Sequence, residues 1–257
     1  MFNFRPKKKF GQNFLKNKDL LKKISELKDF ENKLVLEIGP GTGALTEYLL
    51  KKQPKKLIAI EKDEELKPFL LKIQKKYLVN FEIIFQDALR YEYSKFEGKK
   101  IFLVANLPFH IATTLVIKWL KYIENFESII IMVQKEVAER LSAKVSTKFY
   151  GRTSILVQLH SNVTKIFDVS PENFHPKPKV NSSVIELSPK SNLNFNYERV
   201  DKLLKICFAQ RRKKLKNNLN KISYSNLEKI IKSGIDLNLR PQDISIENYV
   251  MMSKLLI

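Results

Sequence analysis

Cysteine is almost absent from this chain of 257 residues. Its one cysteine, Cys207, excludes an intrachain disulfide and fits a reducing compartment, where a lone thiol serves as core filling. Histidine is nearly as scarce. His110, His160 and His175 are scattered, and no group of Cys, His and carboxylates has the spacing of metal ligands, so no bound metal is expected. Long apolar runs are missing as well. Stretches such as residues 129–133 are far too short to cross a bilayer, and residues 1–30 carry basic groups throughout without the apolar region of a signal peptide. The expectation is a soluble, cytoplasmic monomer with no membrane partner. Acidic residues are outnumbered: 27 Asp and Glu face 47 Lys and Arg, a formal charge of +20, which points to a polyanion such as nucleic acid or an anionic membrane surface. Only eight of the 47 are Arg, and a chain rich in Lys, Ile, Asn and Phe but with seven glycines also reads as the product of an A/T-rich genome. Position has to decide between these readings.

Enough apolar material is present, 44% hydrophobic with 11% aromatic, for an α/β domain and a small appendage. From Lys33 to Pro189, short β-branched runs alternate with amphipathic helical patterns, the rhythm of βαβ units in a mostly parallel sheet. Residues 34–38, 57–60, 81–85, 101–105, 128–133, 154–159 and 184–187 read as seven strands, and 44–52, 64–76, 111–124 and 135–143 as helices. Residues 167–180 contain Pro171, Pro176 and Pro178 and read as a fixed loop leading into the last strand. After the linker at 188–192 only helical periodicity remains. The expected organisation is a basic N-terminal segment at 1–30, a Rossmann-like domain with a seven-stranded, mostly parallel sheet at 31–190, and a small all-helical domain at 191–257.

The first strand of this alternation runs into Glu37-Ile38-Gly39-Pro40-Gly41-Thr42-Gly43 just before a helix. Glycines there let the backbone approach a ligand, and the helix N-terminus favours a negative group. Gly39, Gly41 and Ala44 also match the dinucleotide pattern, which keeps an NAD-dependent dehydrogenase open as a rival. Glu61 ends the second strand, where an acceptor-only carboxylate can bind both ribose hydroxyls of a nucleoside cofactor; its alternative is an exposed strand-end acid. Asp87 follows the third strand and is suited to accept from an adenine amine. The fourth ends in Asn106-Leu107-Pro108-Phe109. An exocyclic adenine amine is a poor nucleophile because its lone pair is delocalised into the ring. The Asn106 side-chain oxygen and the Leu107 carbonyl could accept its two hydrogens and stabilise the charge developing on N6. Pro108 fixes φ, and Phe109 offers a face to an unstacked base.

Six ordered segments, residues 9–15, 37–43, 86–88, 106–109, 174–180 and 208–215, together resemble the ribosomal RNA adenine N6-dimethyltransferases, and the small-subunit branch in particular, from about Lys8 to the C-terminus. The resemblance implies a class I methyltransferase fold and S-adenosyl-L-methionine as cofactor. It implies N6,N6-dimethylation of two adjacent adenosines in the 3′-terminal hairpin loop of 16S rRNA, and a role in small-subunit biogenesis. It assigns cofactor contacts to Asn13, Leu15, Gly39, Gly41, Glu61, Asp87 and Asn106, and makes Phe174 a partner of Phe109 in sandwiching the target base, although the sequence by itself fits a packed loop aromatic at Phe174 equally well. Small-subunit enzymes usually carry Tyr where this chain has Phe109; phenylalanine also occurs in relatives that dimethylate 23S rRNA and confer macrolide resistance. The motif from Phe208 to Leu215 outweighs that difference.

Basic residues concentrate at the two ends. Nine Lys or Arg face one acid, Asp201, from 199 to 221, and nine face three acids from 1 to 30. Flanking a nucleoside site, these clusters, and Arg211, Arg212, Lys213 and Lys214 above all, read as phosphate contacts, against the alternative of a solvated helix face. Two further rivals are a DNA adenine methyltransferase, for which no duplex-reading segment is evident, and a non-catalytic RNA-binding assembly factor.

Overall fold

The computed structural model describes residues 5–77, 80–191, 194–220 and 222–255. Residues 1–4 of the basic segment, Asn192 of the expected linker and Lys221 of the C-terminal basic cluster lie outside the described residues. The chain divides into two compact units, one of residues 1–138 and 162–189, the other of residues 139–161 and 190–257. A division placed at 190 alone therefore leaves out residues 139–161, which group with the C-terminal helices.

Among the described residues the strands, which but for Ser161 lie in the first unit, are β1 (Phe14–Leu15), β2 (Leu34–Ile38), β3 (Lys56–Glu61), β4 (Phe81–Phe85), β5 (Ile101–Asn106), β6 (Phe126–Gln134), β7 (Ser161–Val169), β8 (Phe174–His175) and β9 (Ser182–Pro189). Seven form one sheet in the order β4-β3-β2-β5-β6-β9-β7. The strands from β4 to β6 are parallel, and β9 is antiparallel to β6. Near-continuous burial of Val35 to Ile38, Leu57 to Glu61 and Ile101 to Ala105 is what a parallel sheet covered on both faces requires. Helices α1 (Lys18–Ser25), α2 (Ala44–Leu50), α3 (Lys67–Lys76), α4 (Ala112–Leu120) and α5 (Lys135–Leu141) accompany it. The core includes Trp119, Phe30, Leu36, Leu49, Leu57 and Phe126, all essentially inaccessible. Each such side chain contributes about 1.5–3 kcal/mol through burial.

Strand order reverses at β2, with β3 and β4 to one side and β5 to the other, so a crevice opens beyond the carboxyl ends of β2 and β5. Ile38 sits opposite both Ile60 and Ala105, which brings Gly39, Glu61 and Asn106, one residue on, to the same level of the sheet.

Residues 154–159 are not the sixth strand expected. They belong to α6 (Arg152–His160), and Ser154, Ile155, Leu156, Val157 and Leu159 are all buried. A short apolar run surrounded by protein has no polar face, so its period cannot separate strand from helix. The seventh strand of the sheet is instead β7, which lies at the sheet edge and keeps many polar residues in water. The expected loop at 167–180 contains the end of β7, a 3-10 turn at Pro171–Asn173 and β8.

The second unit is built of α6, α7 (Tyr197–Cys207), α8 (Leu215–Asn218), α9 (Tyr224–Lys232) and α10 (Ile246–Leu255). Its buried hydroxyls are satisfied by carbonyls: Tyr150 donates to Ile244 at 3.0 Å and Tyr249 to Pro241 at 2.6 Å. Arg152 Nε donates to Asp201 at 2.8 Å, and Cys207 is fully buried, as expected of a core thiol. Among the described residues no helix is long and apolar enough to cross a membrane, and no group of three or more His, Cys, Asp or Glu could hold a metal ion.

Candidate active site

Backbone geometry shapes the mouth of the crevice first. Gly39 and Gly41 adopt φ of +69° and +61°, the left-handed region that L side chains avoid. A Cβ on Gly41 would lie 2.7 Å from the Phe14 ring, so the turn and the N-terminal segment can close on each other only through a glycine. The Gly41 N–H donates to Glu61 Oε2 at 3.1 Å, and the N–H groups of Lys62 and Asp63 both donate to Oε1 at 2.8 Å. Burial pushes the Glu61 carboxyl up, while these three N–H groups act to keep it ionised.

Asp87 Oδ1 accepts from the Leu89 N–H at 2.9 Å, and Oδ2 pairs with the Lys62 ammonium at 2.7 Å. Partial burial acts to raise its pKa, but the Lys62 and Leu89 hydrogen bonds prevail and hold it below the usual carboxylate range. At the end of β5 the Asn106 amide donates to the Asn13 carbonyl at 3.0 Å. Since that partner is a carbonyl, it must meet the amide nitrogen, and the side-chain oxygen is turned the other way. The Leu107 N–H is taken by the Met132 carbonyl at 3.1 Å, which anchors the turn to β6.

These groups surround one open pocket, whose lining includes Gly39, Gly41, Glu61, Asp87, Asn106, Leu107, Pro108, Phe109 and Asn13. The structure thus brings together nine of the residues singled out from sequence. Leu15 is buried and lines a narrow adjoining cavity together with Phe14, Glu37, Gly39 and Asn106. Phe174 is a correction. It pairs with Leu15 across the β1–β8 ladder and is buried with Leu21 and Val169 in the core, so its ring offers no open face. Phe109 is half-buried and lines the pocket. In the second unit, Arg212, Lys213 and Lys214 are exposed. Arg211 differs: its guanidinium donates to the Lys148 carbonyl and, at 3.3 Å, to that of Thr147, a structural task that the charge count hid.

Sequence reasoning missed Lys62 and Asp63 and gave Gln12 no role of its own within residues 9–15; Gln12 and Lys62 line the pocket, and Asp63 links Gln12 to Glu61 from behind it. The one signal for Asp63 was its place just before a helix start, which reads as an N-cap. It also missed the burial of Glu37, whose carboxyl burial, reinforced by the Glu61 charge, pushes up to about 8.

Residues 3–257 match the sequence profile described as ribosomal RNA adenine dimethylase. The chain belongs to this family. As a ribosomal RNA adenine dimethylase it is an enzyme that uses S-adenosylmethionine, and ribosomal RNA is its substrate. A ribosomal RNA small subunit methyltransferase A from Pelagibacter ubique is 41% identical over 256 residues, covering 97% of this chain and 96% of that protein. The crystal structure of a dimethyladenosine transferase from Plasmodium falciparum superposes with a TM-score of 0.82 at 28% identity, over 93% of this chain and 95% of the other. The 23S rRNA methyltransferase ErmE shares the fold, with a TM-score of 0.73 at 20% identity over 95% and 99% of the two chains.

Proposed function

We propose that this dimethylase converts two adjacent adenosines in the 3′-terminal hairpin loop of 16S rRNA to N6,N6-dimethyladenosine, working as a cytoplasmic monomer without a metal. The observation that carries the reading is the fixed Asn106 amide at the edge of a pocket that also holds Glu61 and Asp87. The residues fit S-adenosylmethionine. Glu61 and Asp87 both line the pocket, where Glu61 would accept from ribose hydroxyls and Asp87 from the adenine amine, and the glycine turn beside Asn13 and Leu15 would take the amino-acid end. When bound, the cofactor supplies an electrophilic methyl group on a sulfonium.

A target adenine extruded from its loop lies on Phe109, with N6 donating to the Asn106 side-chain oxygen and the Leu107 carbonyl. Both acceptors favour the geometry in which the nitrogen lone pair points away from the ring plane, and both stabilise the positive charge that forms as the methyl is transferred. No general base is required for the attack; the N6 proton leaves afterwards. A monomethylated amine still has one N–H for one acceptor, so a second transfer can follow. Basic residues of the N-terminal segment, together with Arg212, Lys213 and Lys214, hold RNA through phosphates rather than by reading bases.

Relatives named for the small subunit support 16S rRNA as the target. Phe109 is the one observation that favours a 23S rRNA target of the macrolide-resistance type. Mass spectrometry of both ribosomal RNAs, from cells lacking and carrying the gene, separates the two. Dimethyladenosine that returns in small-subunit RNA is the expected result. Modification confined to large-subunit RNA, or monomethyladenine alone, would overturn the proposal.

A further inference from the structure

The N-terminal strap that walls the pocket is fastened at both ends. Lys9, Phe10, Gly11, Gln12, Asn13 and Phe14 line the pocket in succession. Beyond them β1 pairs with β8, Phe14 opposite His175, and Asn13 receives the Asn106 amide, so this end is tied to the sheet and the β8 loop. The other end closes on Asp63 in a ring of hydrogen bonds. The Lys7 N–H donates to Gln12 Oε1 at 2.8 Å, Gln12 Nε2 donates to Asp63 Oδ2 at 2.8 Å, and the Lys7 ammonium meets Asp63 Oδ1 at 2.7 Å. A second carboxylate, Glu65, lies 2.9 Å from the same ammonium.

Asp63 belongs to the cofactor site from its other side too, because its backbone N–H donates to the Glu61 carboxylate. It does not line the pocket. A buried carboxylate that receives an ammonium, a side-chain amide and the Glu65 N–H exceeds what an N-cap needs, since the N–H alone performs that task. Two of its three partners come from the strap, more than fifty residues away in sequence.

We infer that Asp63 is a positioning residue that latches the Lys7–Gln12 end of the strap beside Glu61, and so sets how long the cofactor is retained. The inference rests on the pocket being the cofactor site. It assigns Lys7 to the latch rather than to RNA phosphates. With the latch open, the strap is held only from the β1 end, and the pocket wall formed by Lys9 to Gln12 is free to swing away.

The test uses the full-length enzyme with S-adenosylhomocysteine as probe. Dissociation of bound tritiated S-adenosylmethionine is followed by rapid filtration after a chase of S-adenosylhomocysteine, and trypsin cleavage of the strap is measured with and without the probe. Lys7→Met should speed dissociation about tenfold, the scale of losing one charge-assisted hydrogen bond, and should abolish protection of the strap by the probe. Asp63→Asn should act in the same direction, and the double variant should be no faster than Asp63→Asn alone. If Asp63→Asn does not fold, Lys7→Met and Gln12→Leu carry the test from the strap side, with the pairing of Lys7 and Gln12 as the cycle. Wild-type dissociation and protection in Lys7→Met, or effects that multiply in the double variant, would overturn the latch while leaving the cofactor site standing. Failure of the wild-type enzyme to bind the probe would overturn the site reading itself.

Discussion

The Asn106 side-chain amide donates to the backbone carbonyl of Asn13, 93 residues earlier in the chain. One hydrogen bond therefore joins the N-terminal strap to the loop proposed to hold the target amine, and it settles which way the amide faces. The acceptor oxygen that would receive N6–H is positioned before any RNA arrives, which is the condition for electrostatic stabilisation without reorganisation at the moment of reaction.

Asn106→Ala should lower kcat by about 100- to 1000-fold at saturating cofactor and RNA, the loss typical of one preorganised polar group. The half-buried position and the single lost bond to Asn13 imply a stability cost of only about 1 kcal/mol. Single-turnover methylation alongside thermal melting checks both. Near wild-type turnover would mean that the chemistry lies on another loop.

Gly41→Ala tests the turn. The new methyl group would meet the Phe14 ring at 2.7 Å on a backbone with φ of +61°, so the strap or the turn must move. The left-handed conformation alone costs an alanine about 1–2 kcal/mol. Titration calorimetry should show S-adenosylmethionine binding weakened by about tenfold or more, with a lowered melting temperature. Unchanged affinity would show that the close approach of Phe14 to the turn does not matter for binding.

Most of the sheet and the pocket were legible because they rest on local signals. Hydrophobic runs bounded by Gly39, Glu61, Asp87 and Asn106 mark strand ends, and in an open α/β sheet strand ends converge. What stayed hidden depends on tertiary surroundings. Residues 154–159 read as a strand because α6 is covered on every side and shows no polar face. β7 went unseen because an edge strand with exposed Asn162, Thr164 and Lys165 lacks an apolar run. For Phe174 the sequence left a base platform and a packed loop aromatic equally open, and its pairing with Leu15, which buries it, favours the packed aromatic. Arg211 counts as one more cation until its guanidinium is found on the Lys148 carbonyl.

Glu37 gives a dependence on pH. Burial, with the Glu61 charge adding to it, raises its pKa from 4.5 to about 8, and its Oε2 has no partner among the described residues. Between these two values the unfolded chain has lost the proton and the native chain keeps it, so this group lowers stability as pH rises through that window and adds no further change above it. The slope it contributes is at most about 1.4 kcal/mol per pH unit. Glu37→Gln removes the proton linkage, so the variant should gain on the wild type steadily from pH near 5 to pH near 8 and hold a constant lead beyond. Denaturant melts of both proteins across that range decide it. A difference that does not change with pH would place the native pKa of Glu37 near its ordinary value.

The cations of the second unit can be divided by what they touch. Arg212, Lys213 and Lys214 are exposed, whereas Arg211 reaches two backbone carbonyls with its guanidinium, and its Nε is buried. Replacing the three exposed residues by Gln should weaken ribosomal RNA binding at every salt concentration. It should also reduce the slope of log K against log salt by roughly 0.7–0.9 for each phosphate no longer neutralised, about 2–3 in total if each of the three cations pairs with one. S-adenosylmethionine affinity should not move, because that pocket is lined by residues of the first unit. Arg211→Gln should behave differently, lowering the melting temperature because two backbone carbonyls lose their donor, while leaving the salt slope nearly intact. Filter binding across a salt series, paired with thermal melts, measures all of these. If the triple variant keeps the wild-type slope and methylates the small subunit normally, the three cations only solvate the turn between α7 and α8, and the RNA must be held elsewhere.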